Sequence, residues 1–180
     1  MKIKPFLREL FFRSPAARHF IGMASVISGR TTPLGVAHLN AFSDSRAIGP
    51  LQQPEALLLF SIVRTVIPKT IVEFGFYHGH SAFNFLQAMA SDAYLFSYDI
   101  SDESQRIANT NFSSYDRFRF LHKSQRDFLP SDIDYRMIDL LFFDASHDLQ
   151  LNQQTFEAVV PALSEDSIIC IHDTGLWNKK

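Results

Sequence analysis

The sequence is poor in the features that mark specialised folds. A single cysteine, Cys170, in 180 residues excludes an internal disulfide and any cysteine-built metal cluster. It lies in an apolar run, which predicts a buried, inert thiol. No apolar stretch approaches the ~20 residues needed to span a bilayer. The N-terminus lacks the uninterrupted apolar region of a signal peptide, so the expected location is cytoplasmic. A net charge of −2 supplies no global field for nucleic acid, which is not an expected partner. Glycine is also scarce, and the seven present nowhere form the close-packed triplet of a dinucleotide-binding loop. What is plentiful is apolar: 46% of the chain is hydrophobic, with 18 phenylalanines. At this length that composition predicts one globular domain with one core.

Residues 1–49 read as a helical and loop extension and residues 50–180 as the domain proper. The first thirty residues are basic and aromatic: Lys2, Lys4, Arg8, Arg13, Arg18 and Arg30 stand against Glu9 alone. Phe6, Leu7, Leu10 and Phe11 recur at helical spacing, and Ser14-Pro15 suits the start of a second helix. Helices packed on the domain or on a second subunit are preferred here to a basic amphipathic segment on an anionic membrane. Residues 29–50 read as a long loop.

From Pro50 onward, helical and strand patterns alternate. A helix is expected to Ile67, stopped by Pro68. Strands are expected at Thr70–Phe74, Tyr94–Asp99, Arg117–Leu121, Ile138–Phe143 and Ser167–Ile171. Helices fall near Ser81–Ala90, Asp102–Phe112 and Leu151–Leu163, and Ser101 caps the second of these. The continuous apolar run at 138–143 suits a central strand covered on both faces. The order predicts an α/β fold with a doubly wound parallel sheet. Every polar residue that stands out then falls at the carboxyl end of a strand, on the rim where such sheets bind ligands.

The most informative stretch is Glu73-Phe74-Gly75-Phe76-Tyr77-His78-Gly79-His80-Ser81. A strand ends, a turn with two glycines follows, and a helix opens. Bulky Tyr77 and His78 leave no room for a diphosphate against the backbone, and Glu73 would repel one. An acid there suits a cationic ligand, such as the ammonium and sulfonium of S-adenosylmethionine. Ser81 and the helix N-terminus could meet that ligand's carboxylate. Asp99, about 20 residues beyond the turn, is placed to bind a ribose diol. An ordinary strand-to-helix turn is the alternative for the glycines alone.

Strands four and five should be neighbours, which sets Asp144 opposite His172-Asp173. Carboxylates with open water positions suit Mg²⁺, and histidine also admits Mn²⁺, Fe²⁺ or Zn²⁺. The alternative is that these residues cap the turns that follow. His147 carries an imidazole able to accept a hydroxyl proton near neutral pH. It could equally be a surface histidine before a helix.

Glu73-x-Gly75-x-Tyr77-x-Gly79-x-Ser81 resembles the first motif of class I S-adenosylmethionine-dependent methyltransferases. It is most similar to the catechol O-methyltransferase-like group, including related sugar and antibiotic O-methyltransferases. The resemblance covers residues 50–173. It implies a Rossmann-like methyltransferase domain and a donor site of Glu73, Gly75, Tyr77, Gly79, Ser81, Asp99 and Asp144. Ser124 or Gln125 would meet the adenine amine, although Lys123 stands where the group usually has glycine. It also implies a divalent cation, Mg²⁺ first, on Asp144, His172 and Asp173, with His147 as general base. His172 replaces the aspartate usual in the catechol enzymes. The expected activity is metal-assisted methyl transfer to a hydroxyl of a small molecule. The group normally continues into an antiparallel hairpin, which this sequence is expected to lack. Strand five would then be an edge, open to a homo-oligomer through that edge or through the N-terminal helices. Three other readings compete: a donor-binding or interaction module without turnover, a nicotinamide oxidoreductase, and a metal-independent methyltransferase.

Overall fold

The computed structural model describes residues 38–39 and 51–172. The expectations for the N-terminal helices, most of the following loop and Asp173 lie outside the described residues. Five strands form one sheet in the order β3-β2-β1-β4-β5, every neighbouring pair parallel. The strands are β1 (Thr70–Phe74), β2 (Tyr94–Asp99), β3 (Phe118–His122), β4 (Ile138–Phe143) and β5 (Leu163–Ile171). The helices are α1 (Gln53–Val66), α2 (His80–Ala88), α3 (Asp102–Asn111) and α4 (Leu149–Val159). No helix among the described residues is long and apolar enough to cross a membrane.

Local chemistry explains the boundaries. Glu55 Oε2 accepts the Gln52 amide at 3.0 Å at the start of α1, and Ile67, held before Pro68 at φ 54°, ends it. Ser101 caps α3 as its spacing suggests. Asp148 caps α4 by accepting the Leu151 amide at 2.7 Å, and Pro161 forces the following turn into a 3₁₀ form. All five residues of β1 are buried, the pattern of a central parallel strand covered on both faces.

Each face of the sheet carries its own cluster. On one, Ile71, Leu95, Leu140 and Phe142 pack against Ala56, Leu59 and Val63 of α1, Ala82 and Phe85 of α2, and Ala108 of α3. On the other, Val72, Phe74, Phe96, Leu141 and Phe143 meet Phe128, Ile133 and Val159. Cys170 is half-buried. Burial pushes its thiol up to about 11, so little reactive thiolate forms near neutral pH.

Two expectations change. The alternation of strand and helix breaks between β3 and β4, where 3₁₀ turns at Gln125–Asp127 and Pro130–Ile133 replace a helix. Asp132 gathers this link, taking the Leu129 amide at 2.9 Å, the Tyr98 hydroxyl at 3.1 Å and the Lys123 ammonium at 2.8 Å. Asp134 and Tyr135 then adopt left-handed backbone, which a continuing helix would not permit. β5 also begins four residues earlier than the apolar run suggests, at Leu163. The polar residues 164–166 enter it through an irregularity: Ile138 pairs with Leu163, but Leu140 pairs with Ile168.

Phe74 is fully buried and packs its ring against Tyr98, Phe128 and Phe143. Phe74→Ala is expected to cost about 3–5 kcal/mol of stability, measured by urea unfolding.

Candidate functional site at the carboxyl rim of the sheet

The chain winds outward from β1 through β2 to β3, then returns to β4 on the other side of β1. The winding therefore reverses between β1 and β4, and ligands of such sheets bind outside the strand ends at that point. The hydrogen-bond ladder continues one step beyond each strand there. Lys123 N donates to Asp99 O at 2.9 Å, Gly75 N to Tyr98 O at 2.9 Å, Asp144 N to Phe74 O at 2.8 Å and His172 N to Phe143 O at 2.9 Å. Lys123, Asp99, Gly75, Asp144 and His172 are thus fixed in a row.

Gly75 is required by that row. Its φ is +103°, and a Cβ on it would lie 2.6 Å from the carbonyl carbon and oxygen of Asp144. The two loops touch backbone to backbone at the switch point. Gly79, at φ +82°, is closed in by the rings of Phe112 and Phe76, 2.6–2.7 Å from a Cβ. Between the glycines, Tyr77 also takes a left-handed φ of 48°. Its amide donates to Asp99 Oδ2 at 2.7 Å, and its ring stacks on His78 with centroids 3.9 Å apart.

Asp99 therefore braces the turn. Its other oxygen accepts the Ser101 amide at 2.9 Å. Each carboxylate oxygen keeps a further lone pair for a ligand hydroxyl. The next residue, Ile100, is 72% exposed on the rim, and its carbonyl lies 2.9 Å from His122 Nε2. The sequence reading passed over Ile100. An apolar residue directly after a strand-end acid is the signal that could have found it.

Glu73 lies deeper than a rim acid. It is completely buried, with Oε1 taking the Ser81 hydroxyl and Oε2 the Ser97 hydroxyl at 2.5 Å. The Ser81 hydroxyl is thereby directed inward. Burial, helped by the nearby Asp144 and Asp99 charges and opposed by the two hydroxyls, pushes the Glu73 carboxyl up to about 8. The first turn of α2 still opens at the rim with amides that the helix itself does not use.

Beyond β3, Ser124 caps the first 3₁₀ turn, accepting the Arg126 amide at 3.3 Å. Gln125 is buried and donates through Nε2 to Asn152 Oδ1 at 2.9 Å and Thr155 Oγ1 at 3.0 Å. Its Oε1 is enclosed and accepts no hydrogen bond from the described residues. A buried acceptor without a donor fits a ligand amine. Lys123, in the place of the expected glycine, is tied to Asp132.

Asp144 Oδ1 lies 2.9 Å from His172 Nδ1, and His172 Nε2 lies 3.3 Å from Glu55 Oε1. Two of the three residues expected to hold a cation thus stand together, and the third, Asp173, is outside the described residues. Among the described residues no three His, Cys, Asp or Glu side chains converge on one point. Glu55 joins this group from the first turn of α1, a meeting that no local pattern announces. His147 is exposed in the loop between Asp144 and the Asp148 cap.

Comparison with known proteins places the same region. Residues 72–174 match the family described as methyltransferase domain. The uncharacterized protein y4gI of Sinorhizobium fredii is 31% identical over 137 residues, 64% of this chain and 15% of that protein. This chain thus spans a small part of that relative's length. Among solved structures, a candidate caffeoyl-CoA O-methyltransferase of Staphylococcus aureus superposes with a TM-score of 0.66 at 15% identity, over 87% of this chain and 73% of that one. A Podospora anserina methyltransferase with SAH bound gives 0.64 at 15% identity, over 96% and 73%. An O-methyltransferase of Bacillus cereus in complex with SAH gives 0.59 at 18%, over 91% and 69%. At these identities the likeness is one of fold.

Two outcomes follow from the geometry. Gly75→Ala is expected to shift the Asp144 loop and cost about 1–3 kcal/mol, read by thermal unfolding. The raised Glu73 carboxyl means the folded state binds a proton that the unfolded state has released. The Glu73 contribution to stability should therefore be fully present below about pH 4.5 and decline as pH rises to about 8. The Glu73 share of that decline, on the order of 3–5 kcal/mol, should vanish in Glu73→Gln when urea midpoints are compared across pH.

Proposed function

The chain belongs to the methyltransferase family matched over its residues 72–174, and on that premise we propose that it transfers a methyl group from S-adenosylmethionine to a hydroxyl oxygen of a small molecule. The observation that carries this reading is the rim itself. Asp99, the Gly75 turn, Asp144 and the donor-lacking Gln125 Oε1 are spread across the strand ends on both sides of the switch point. Those groups complement a nucleoside joined to an amino acid, and they offer no site for paired phosphates.

When bound, the donor supplies an electrophilic methyl on a sulfonium. Asp99 receives the ribose hydroxyls through its remaining lone pairs. Gln125 Oε1 accepts from the adenine amine, Ser124 lies beside it, and Ile100 gives the base an apolar neighbour. The α2 N-terminus attracts the donor's carboxylate, and Asp144 attracts its ammonium. Glu73 and Ser81 hold the floor of the turn, while Gly75, Tyr77 and Gly79 give it its shape. His147, three residues after Asp144, takes the proton that the acceptor hydroxyl loses. No covalent intermediate on the protein is needed. Much of the rate comes from alignment, which supplies up to about 7–11 kcal/mol of such barriers.

A divalent cation belongs to the same proposal. Asp144, His172 and Asp173 would hold it, and it would lower the pKa of an acceptor oxygen bound to it. The approach of Asp144 to His172 supports this part of the reading.

Titration calorimetry with S-adenosylmethionine and S-adenosylhomocysteine tests the donor site. Asp99→Ala should weaken both ligands by roughly 1.5–3 kcal/mol, the worth of hydrogen bonds to a charged group. In a methyl-transfer assay over a panel of diols, His147→Ala should lower kcat by about 10²–10⁴ with donor affinity nearly unchanged. EDTA should abolish transfer and added Mg²⁺ or Mn²⁺ restore it. Failure of both ligands to bind at millimolar concentration would overturn the whole reading, and turnover that survives EDTA would overturn its cation.

A further inference from the structure

Glu73 is the one wholly enclosed acid beneath the crevice, and the reaction described above gives it no chemical step. Its surroundings are unusual for a carboxylate. Among the described residues, the groups bonded to it are the hydroxyls of Ser81 on α2 and Ser97 on β2. Ser97 is also its register partner across the β1–β2 ladder. The charged groups facing it are both acidic, Asp99 from the end of β2 and Asp144 from the loop after β4. From α2 only Ser81 reaches it, and no described lysine, arginine or histidine bonds to it. Glu73, Asp99 and Asp144 thus share the floor and sides of one crevice, and among the described residues no cation bonds to Glu73 itself. Water cannot reach Glu73 to dissipate a charge there.

That arrangement makes the protonation of Glu73 depend on what occupies the crevice. With nothing above it, burial and the two neighbouring carboxylates hold the proton on up to about pH 8. A positive charge set above β1 opposes the field of those carboxylates, and at low dielectric such a charge acts strongly over a few ångströms. The methyl donor and its thioether product differ in this respect by a single positive charge, at sulfur.

We propose that Glu73 discriminates the sulfonium donor from the neutral-sulfur product, releasing its proton to solvent beneath the first and keeping it beneath the second. The proposal rests on the donor-site reading above. It supplies a physical reason for product to leave: once the methyl is transferred, the positive charge is gone and Glu73 is reprotonated. The sign follows from linkage. If the donor lowers the Glu73 pKa, donor binding expels a proton, and donor affinity increases with pH until Glu73 is ionised in the free protein as well. The sulfonium also lowers the donor's own amino pKa relative to that of the product, a difference that wild type and Glu73→Gln share, so the change between the two proteins isolates the Glu73 proton.

The test is calorimetric titration of the wild type and Glu73→Gln with each ligand between pH 6.5 and 9, in buffers of different ionisation enthalpy. Relative to Glu73→Gln, the wild-type donor-to-product affinity ratio should rise by ~3–10-fold over that range, given that one pKa unit corresponds to tenfold. Donor binding near pH 7 should release more protons than product binding. In Glu73→Gln, whose amide keeps the shape without the charge, only the pH dependence of the ligands' own amino groups should remain, and the extra proton released by the wild type should disappear. The same slope and the same proton release in wild type and variant overturn the proposal. Should the variant not fold, the wild-type proton counts at pH 6.5, where both ligands' amino groups are protonated, decide alone, and equal release for the two ligands overturns it. Those results leave the donor site standing, whereas failure of both ligands to bind the wild type overturns that site and this proposal together.

Discussion

The structure depends on a hydrogen-bond ladder that does not stop where its strands do. Four amides, those of Lys123, Gly75, Asp144 and His172, each reach the last carbonyls of the neighbouring strand. A loop leaving a strand normally has freedom to wander, and side chains on it are placed only loosely. Here the first residue of each loop is held to the pitch of the sheet. The functional groups inherit the spacing of the strands, and a site assembled from four segments far apart in sequence acquires a rigid base. The backbone contact between Gly75 and Asp144 is the tightest point of this arrangement, because it joins the two halves of the winding.

The electrostatics follow from that base. Asp99, Asp144 and Glu73 come within interaction range on one rim, and each is stabilised differently. Asp99 is occupied by two loop amides. Asp144 faces an imidazole. Glu73 has only hydroxyls, and burial moves it toward the neutral form. The result is a carboxylate-lined opening above a buried acid that is biased toward its neutral form. Such a surface repels diphosphates and attracts ligands that bring positive charge of their own, consistent with family membership.

Much of this was legible in the residues. The Glu73-to-Ser81 stretch named the turn, the helix start and the class of ligand. The run at 138–143 named a central strand, and Ser101 named a cap. These are local signals, in which period, capping and turn chemistry act within a few residues. The misses arose where contacts between distant segments overrode such signals. The link from β3 to β4 has no helix because Asp132 draws Leu129, Tyr98 and Lys123 to itself, and Tyr98 lies 34 residues away. β5 extends through Ser164-Glu165-Asp166 because β4 offers a partner for Leu163, although those residues by themselves read as a loop. Glu55 reaches His172 only because α1 lies beside the end of β5.

The sequence by itself determined the order of elements, the parallel sheet and the set of polar residues at its carboxyl rim, since periodicity and strand-end position are properties of short segments. Only the tertiary structure decided what each of those residues is free to do. It turned Ser81 inward, bound Asp99 to the Tyr77 amide, left the Gln125 carbonyl without a donor and enclosed Glu73. The reason is physical. A side chain's charge and its remaining hydrogen-bond capacity depend on which distant groups surround it and on whether water can reach it, and neither is encoded within its own segment.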